Sequence, residues 1–173
     1  MELNYCPVCG ERLRLRRHPT EPPTPWCERC GDWRFPLYSA AVSVILLNPA
    51  GNRMLLIRQY GEREPVLVAG YVDKGERAED AVIREVREEL GMRARAPRFL
   101  GSHYYTPSET LMLNFLATVE EETPRPNAEV EGWLWAPAAE ASRLVKPGGL
   151  AETLLADWQL EDCKPERDFQ VDI

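Results

Sequence analysis

Residues 70–92, GYVDKGERAEDAVIREVREELGM, hold the densest chemistry in the chain. Glu85, Glu88 and Glu89 fall at i, i+3 and i+4, so on a helix they share one face. Ala78, Ala81, Val82, Val86 and Leu90 form an apolar stripe that can pack on a core. Gly91 follows as a helix stop. Three clustered carboxylates repel one another unless a cation sits among them. Hard cations such as Mg²⁺ take oxygen ligands and bridge carboxylates to substrate phosphates. This face therefore points to metal-assisted phosphoryl or pyrophosphate chemistry. On charge alone, a solvated helix face paired with Arg84 and Arg87 is an equal account.

A second constellation lies near the N-terminus. Cys6-x2-Cys9 and Cys27-x2-Cys30 are separated by 17 residues, and Gly10 and Gly31 follow the two pairs. Two such knuckles converge into a tetrahedral Cys₄ zinc site, with glycine easing each tight turn. Stable disulfides are disfavoured in a chain without a secretory signal. A redox pair would sit on a βαβ unit, which is missing here. One structural zinc ion held by Cys6, Cys9, Cys27 and Cys30 is the expectation. The stretch between the pairs, HPTEPPTPW, is too proline-rich for a helix or a central strand. His18 reads as a surface residue. Arg12, Arg14, Arg16 and Arg17 alternate with Leu13 and Leu15, which describes a solvated strand face better than an RNA contact.

Several elements must position the carboxylates. Ser39–Leu47 reads as a buried strand, Asn48 to Asn52 as a turn, and Met54–Gln59 as its hairpin return. Val66–Ala69 is a short strand leading into Gly70. Arg98–Tyr105 and Leu111–Val119 form a further pair, and Glu131–Trp135 a last strand. Ala138–Leu144 and Leu150–Leu160 are expected helices. Residues 121–128, acidic and with two prolines, read as a mobile loop. Strands on both sides of one helix, with a terminal helix behind, predict an α/β fold with a mixed sheet between helices. The expected division is 1–36, 37–162 and a polar tail, 163–173, that carries a lone thiol at Cys163.

The chain has 173 residues, 44% of them hydrophobic, and a net charge of −7. No apolar run is long enough to span a membrane and no secretory signal is seen, so a cytoplasmic protein is expected. The acidic balance argues against non-specific nucleic-acid binding.

Gly70, Glu76, Arg84, Glu85, Val86, Glu88, Glu89, Gly91 and Met92 match the signature of Nudix hydrolases at every fixed position. The chain resembles that family. The resemblance implies an α/β/α sandwich, and a loop-helix-loop whose glutamates bind divalent metal and cleave a diphosphate linked to another group. A Cys₄ ribbon just before such a domain is similar to the NADH pyrophosphatase subfamily. Phe35-Pro36, Ala69-Gly70-Tyr71-Val72, Leu111-Met112 and Gly149-Leu150-Ala151 carry the same likeness. Two departures stand beside it. The extra N-terminal domain of the larger members is not in this sequence. Their Ser-Gln-Pro-Trp-Pro-Phe-Pro-x-Ser signature is replaced by Ser102 to Thr110, SHYYTPSET, where Ser102 is identical, Tyr105 is aromatic and Thr110 keeps a hydroxyl.

The resemblance implies two or three Mg²⁺ or Mn²⁺ ions on Glu85, Glu88 and Glu89. It adds the backbone carbonyl of Ala69 and a glutamate from a later strand, with Glu131 first and Glu129 second. Glu88 or Glu89 is expected as general base, with Glu109 a further candidate. Arg84 is expected to orient Glu85. Gly70 lets the loop approach the metal closely. Candidate substrate contacts are Gly70, Tyr71, His103, Tyr104, Tyr105, Thr110 and Ala151. The tyrosines would stack on a ring, or equally pack in the core; His103 reads better as a satisfied strand histidine. The implied activity is hydrolysis of NADH or NAD⁺ type dinucleotides. ADP-ribose and dinucleoside polyphosphates are the alternative substrates, and a non-catalytic nucleotide or RNA binder the alternative class. A small-molecule nucleotide is the expected partner, and the resemblance implies a homodimer.

Overall fold

A computed structural model describes residues 3–161. The tail from 163, with Cys163, lies outside the described residues. The described residues form two sheets. The first is small and antiparallel, β1 (Arg14–Arg16), β2 (Thr24–Cys27) and β3 (Asp32–Trp33), in that order. The expectation of no central strand in the proline-rich stretch is thereby corrected. Pro25 is tolerated because its carbonyl accepts from Arg34 N–H at 2.8 Å, past the end of the two-residue β3. The missing proline donor therefore forfeits only the reciprocal bond to Arg34 O, at the end of the β2–β3 ladder. His18 Nδ1 accepts from the N–H groups of Thr20 and Glu21, and its ring stands edge-on to Trp33.

The main sheet holds β4 (Ser39–Leu47), β5 (Arg53–Gln59), β6 (Val68–Tyr71), β7 (Ala94–Tyr105), β8 (Thr110–Val119) and β9 (Val130–Pro137). Its path is β7-β8-β4-β5-β9, with β6 also paired to β4. β4 and β8 run parallel and the other pairs antiparallel, so the sheet is mixed. The expected β4–β5 hairpin holds for only two residue pairs, Leu46↔Leu55 and Leu47↔Met54. The strands then part, and β6 takes the vacated flank of β4 from Ala41 to Val44. That parting opens the sheet where residue 70 arrives.

One face of the sheet is covered by α1 (Ala78–Leu90), which buries Ala81, Val82, Val86 and Leu90 against Val42, Val44, Leu55, Ile57 and Phe115. The other face is covered by α2 (Leu150–Glu161), through Ala151, Leu154, Leu155 and Trp158 against Ile45, Met54 and Leu56. The α/β/α layering and the mixed sheet are as expected. Gly91 ends α1 in the left-handed conformation, with φ of 61° and its N–H on Arg87 O.

Two local readings need correction. Ala138–Leu144 forms only a single 3₁₀ turn, Ala141–Arg143. The stretch lies between Pro137 and Pro147, too short to repay a helix nucleus. Residues 121–128 are tied down rather than loose. Arg125 N–H donates to Leu90 O and Asn127 N–H to Glu89 O, satisfying the last carbonyls of α1. Trp135 Nε1 donates to Glu122 O, and the Glu122 carboxylate meets Asn48 and Arg53. Among the described residues no helix is long and apolar enough to cross a membrane.

Candidate active site

Arg84 is the hub from which the carboxylates are arranged. Its Nε and one terminal nitrogen grip both oxygens of Glu76, at 2.8 and 2.9 Å. The other terminal nitrogen donates to Glu85 at 2.7 Å and to Glu88 at 3.2 Å. A further bond reaches Tyr71 O at 2.9 Å, joining the helix to the end of β6. Arg84 thus spends its donors on protein groups, consistent with orienting rather than binding substrate. Its hydrogen bonds hold the Glu76 carboxyl down at about 2. Glu76 stands eight residues before Arg84, and its motif position was the only sequence signal for this clamp.

Gly70 lies directly against Glu85. A Cβ on residue 70 would overlap the Glu85 carboxyl group, and even Glu85 Cγ is only 2.6 Å from where it would sit. Glycine is required here for close approach, not for turn geometry. Glu85 is mostly buried, and burial raises its carboxyl while Arg84 pulls it down.

Glu89 differs in kind. The residue is 4% exposed and its Oε2 has no hydrogen-bond partner. Burial first, then the charges of Glu85, Glu129 and Glu88, push it up to about 8. A buried, unpartnered carboxylate facing other carboxylates is expensive unless a proton or a cation completes it. The donor set is all carboxylate oxygen, with the Ala69–Gly70 backbone beside it, which suits a hard divalent cation.

The two candidate fourth glutamates are placed differently. Asn127 N–H holds Glu89 O, while Asn127 Oδ1 accepts from Glu129 N–H at 2.9 Å. Glu129 thereby stands where its charge acts on Glu89 and Tyr60. The Glu131 carboxylate instead accepts from Gly61 N–H at 2.9 Å.

Beside Gly70 a cleft of about 470 Å³ opens between the parted strands and the start of α2. Ala69, Gly70, Tyr71, Tyr105, Thr110 and Ala151 line it. Gln59, Tyr60, Ser43, Met112 and Lys146 line it as well, and sequence reasoning missed these. The signal for Tyr60 was weak, a Tyr-Gly step closing a strand. Three expected residues lie elsewhere. Tyr104 alternates to the other side of β7, edge-on to Tyr38. His103 Nδ1 bonds Asn114 Nδ2 at 2.9 Å, while its Nε2 is buried without a partner. Glu109 has φ of 49° and borders a second cavity, shared with Leu13, Pro25 and Arg34 of the Cys-rich segment.

The four cysteine sulfurs lie within 4.8 Å of one another, with Cys6–Cys30 at 3.9 Å and Cys9–Cys27 at 3.4 Å. Thiolates about 2.3 Å from a tetrahedral zinc would be about 3.8 Å apart, so the spacing fits. Gly10 and Gly31 close the knuckles at φ of 76° and 64°, each donating its N–H to the first cysteine's carbonyl. Burial raises Cys6, but Arg34 and the Val8 and Cys9 N–H groups outweigh it and bring the thiol to about 6. Its hydrogen bond with Cys9, then burial, push Cys30 to about 12. Four thiolates cannot coexist there without a cation.

Comparison with known proteins bears on this arrangement. The NUDIX domain model matches residues 37–156. A protein named NAD-capped RNA hydrolase NudC from Photobacterium profundum is 27% identical over 156 residues, covering 88% of this chain and 56% of the relative. One of the same name from Stutzerimonas stutzeri is 33% identical over 135 residues, covering 76% of this chain and 47% of the relative. The chain spans about half the length of the curated relatives it matches. Among solved structures, a NUDIX hydrolase from Nitrosomonas europaea superposes with a TM-score of 0.68 at 18% identity, covering 94% of this chain and 95% of that one. With the domain matched from the first strand of the main sheet into α2, this chain belongs to the Nudix hydrolases.

Proposed function

We propose that the protein hydrolyses the diphosphate of a nucleoside diphosphate joined to a second moiety, with NADH or NAD⁺ type dinucleotides as substrates. The observation that carries this reading is the buried Glu89 carboxylate, unpartnered and surrounded by Glu85, Glu88 and Glu129. Nudix enzymes use divalent metals, and Glu85, Glu88, Glu89 and Glu129 with the Ala69 carbonyl would hold Mg²⁺ or Mn²⁺ here. Such an ion, when bound, neutralises the diphosphate and makes water a nucleophile at neutral pH. Glu88, the most exposed of the three helix carboxylates, is the proposed base for that water. Arg84 fixes Glu85 and Glu88, and Glu76 fixes Arg84. The cleft beside Gly70 is the proposed seat for the ring of the substrate, with Tyr71 and Tyr105 on its walls. Glu131 is proposed to hold the 61 turn, and Glu109 to serve the contact with the Cys-rich sheet.

The Cys₄ cluster is proposed to hold one structural zinc ion, and residues 1–36 and 37–162 to be its two units. A cytoplasmic homodimer is part of the same proposal. The names of the relatives favour one further substrate, an RNA whose 5′ end carries the dinucleotide, cleaved at the same bond. The test is a Mg²⁺-dependent panel of NADH, NAD⁺, ADP-ribose, diadenosine polyphosphates and an NAD-capped RNA, with a Glu88→Gln control. Highest kcat/KM with a dinucleotide, free or capping RNA, and loss in the control are expected. A control as active as the parent would sink the assignment.

A further inference from the structure

The end of β5 carries a feature that the chemistry at α1 does not use. Gln59 is 9% exposed and lines the cleft, yet its Oε1 has no hydrogen-bond partner. Next to it Tyr60, also lining the cleft, is held at φ of 58°, a conformation that strains any residue with a Cβ. The residue is 73% exposed, so core packing does not hold it there. The turn is over-determined. Glu62 N–H donates to Gln59 O, Gly61 takes φ of 70°, and Gly61 N–H donates to Glu131. Two local penalties, a strained aromatic and an orphaned buried oxygen, therefore stand side by side on one cleft wall. A buried acceptor without a partner calls for an explanation in a folded protein, and on a cleft wall a ligand that supplies the missing donor is one.

We propose that the Gln59–Tyr60 turn is a ring-reading element. Tyr60 covers one face of a planar nitrogen heterocycle, and Gln59 accepts a hydrogen bond from an amino group on its edge. A carboxamide suits this, because it pairs with an amino group beside a ring acceptor, as adenine offers. The amide of nicotinamide presents the same amino chemistry. The inference rests on the dinucleotide reading above, and it makes Gln59 a determinant of specificity.

The test uses Gln59→Leu in the full chain, with NAD⁺, ADP-ribose and nicotinamide hypoxanthine dinucleotide as substrates. If the amino group read is adenine's, the variant loses about tenfold in kcat/KM on NAD⁺ and ADP-ribose and little on the hypoxanthine compound. If it is nicotinamide's, NAD⁺ and the hypoxanthine compound fall together and ADP-ribose is spared. Either pattern supports the proposal. A uniform change across all three, or none, overturns it. Calorimetric binding of AMP, IMP and nicotinamide mononucleotide to both proteins decides the question even without turnover. An inactive parent would sink the hydrolase reading, whereas equal ring preferences in parent and variant would sink this one. The variant should melt at or above the parent, since it removes an unsatisfied oxygen. A lower melting temperature would mean that Gln59 holds the fold, which also overturns the proposal.

Discussion

Gly70 and Glu85 make one unit, because the carboxyl occupies the space a side chain at 70 would need. Gly70→Ala is expected to cut kcat by about 10² or more while melting changes little, since a displacement near 1 Å costs that much in positioned catalysis. Steady-state kinetics with a melting curve checks this. Glu129→Gln should lower divalent-cation affinity, whereas Glu131→Gln should leave it unchanged and disturb only the 61 turn. Calorimetric Mg²⁺ titration of both variants separates them. Glu89 predicts a pH dependence with an unusual sign. Its folded carboxyl titrates near 8 and its unfolded one near 4.5, so between those values only the folded state keeps the proton. The metal-free protein should therefore lose stability as pH rises from about 4.5 through 8, on the order of a few kcal/mol in all. Saturating Mg²⁺ should flatten that slope. Denaturant melts at pH 5, 6.5 and 8 with and without the cation read it. Glu76 works in the opposite sense. Held down by Arg84, it contributes stability above about 4.5 that is lost as pH falls toward about 2.

The elements differ in what makes them legible. α1 was readable end to end, because its apolar stripe, glutamate spacing and Gly91 all point to one helix. β4 was readable as a continuous apolar run, since it is covered on both faces. The parting of β4 and β5 was not, because it depends on β6 arriving from later in the chain. Nor was β2, where Pro25 sits at the end of the pairing with β3 and forfeits a single bond there. The Cys-rich sheet has little core of its own: Leu15 is 71% exposed and all of β1 is exposed. If the Cys₄ cluster holds the proposed zinc ion, its removal by a chelator, or Cys27→Ser, should therefore unfold residues 3–36 while the main sheet survives. Hydrogen exchange should show loss of protection in β1 to β3 and retained protection in β4 and α1.

For the whole molecule, the carboxylate face of α1 was legible from glutamate spacing together with the Nudix resemblance, but the cleft beside it was read only in part. Tyr71, Tyr105, Thr110 and Ala151 reach it from four separate elements, whereas Tyr104 is turned away by simple strand alternation. Gln59 and Tyr60 escaped because nothing local tells a strand-end glutamine in a wall from one in solvent. Tyr38 and Tyr104 form an exposed aromatic pair at the edge strand β7. If the proposed homodimer uses it, Tyr38→Ser with Tyr104→Ser should convert a dimer mass to a monomer mass in sedimentation velocity.

Surface loops commonly accept extra residues at small entropic cost, which makes them the usual place for a tag or a domain fusion. The stretch from 121 to 128 looks ideal for that: acidic, proline-bearing and outside any strand. Yet Asn127 bonds Glu89 through its backbone and Glu129 through its side chain, so this segment works as a gauge block between two carboxylates. Lengthening it by a single residue between 127 and 129 should leave every acidic side chain in the sequence and still shift Glu129 relative to Glu89. If Glu129 serves the proposed metal site, loop length here is a parameter of that site, and natural variation in it would be a poor guide to tolerance elsewhere on the surface.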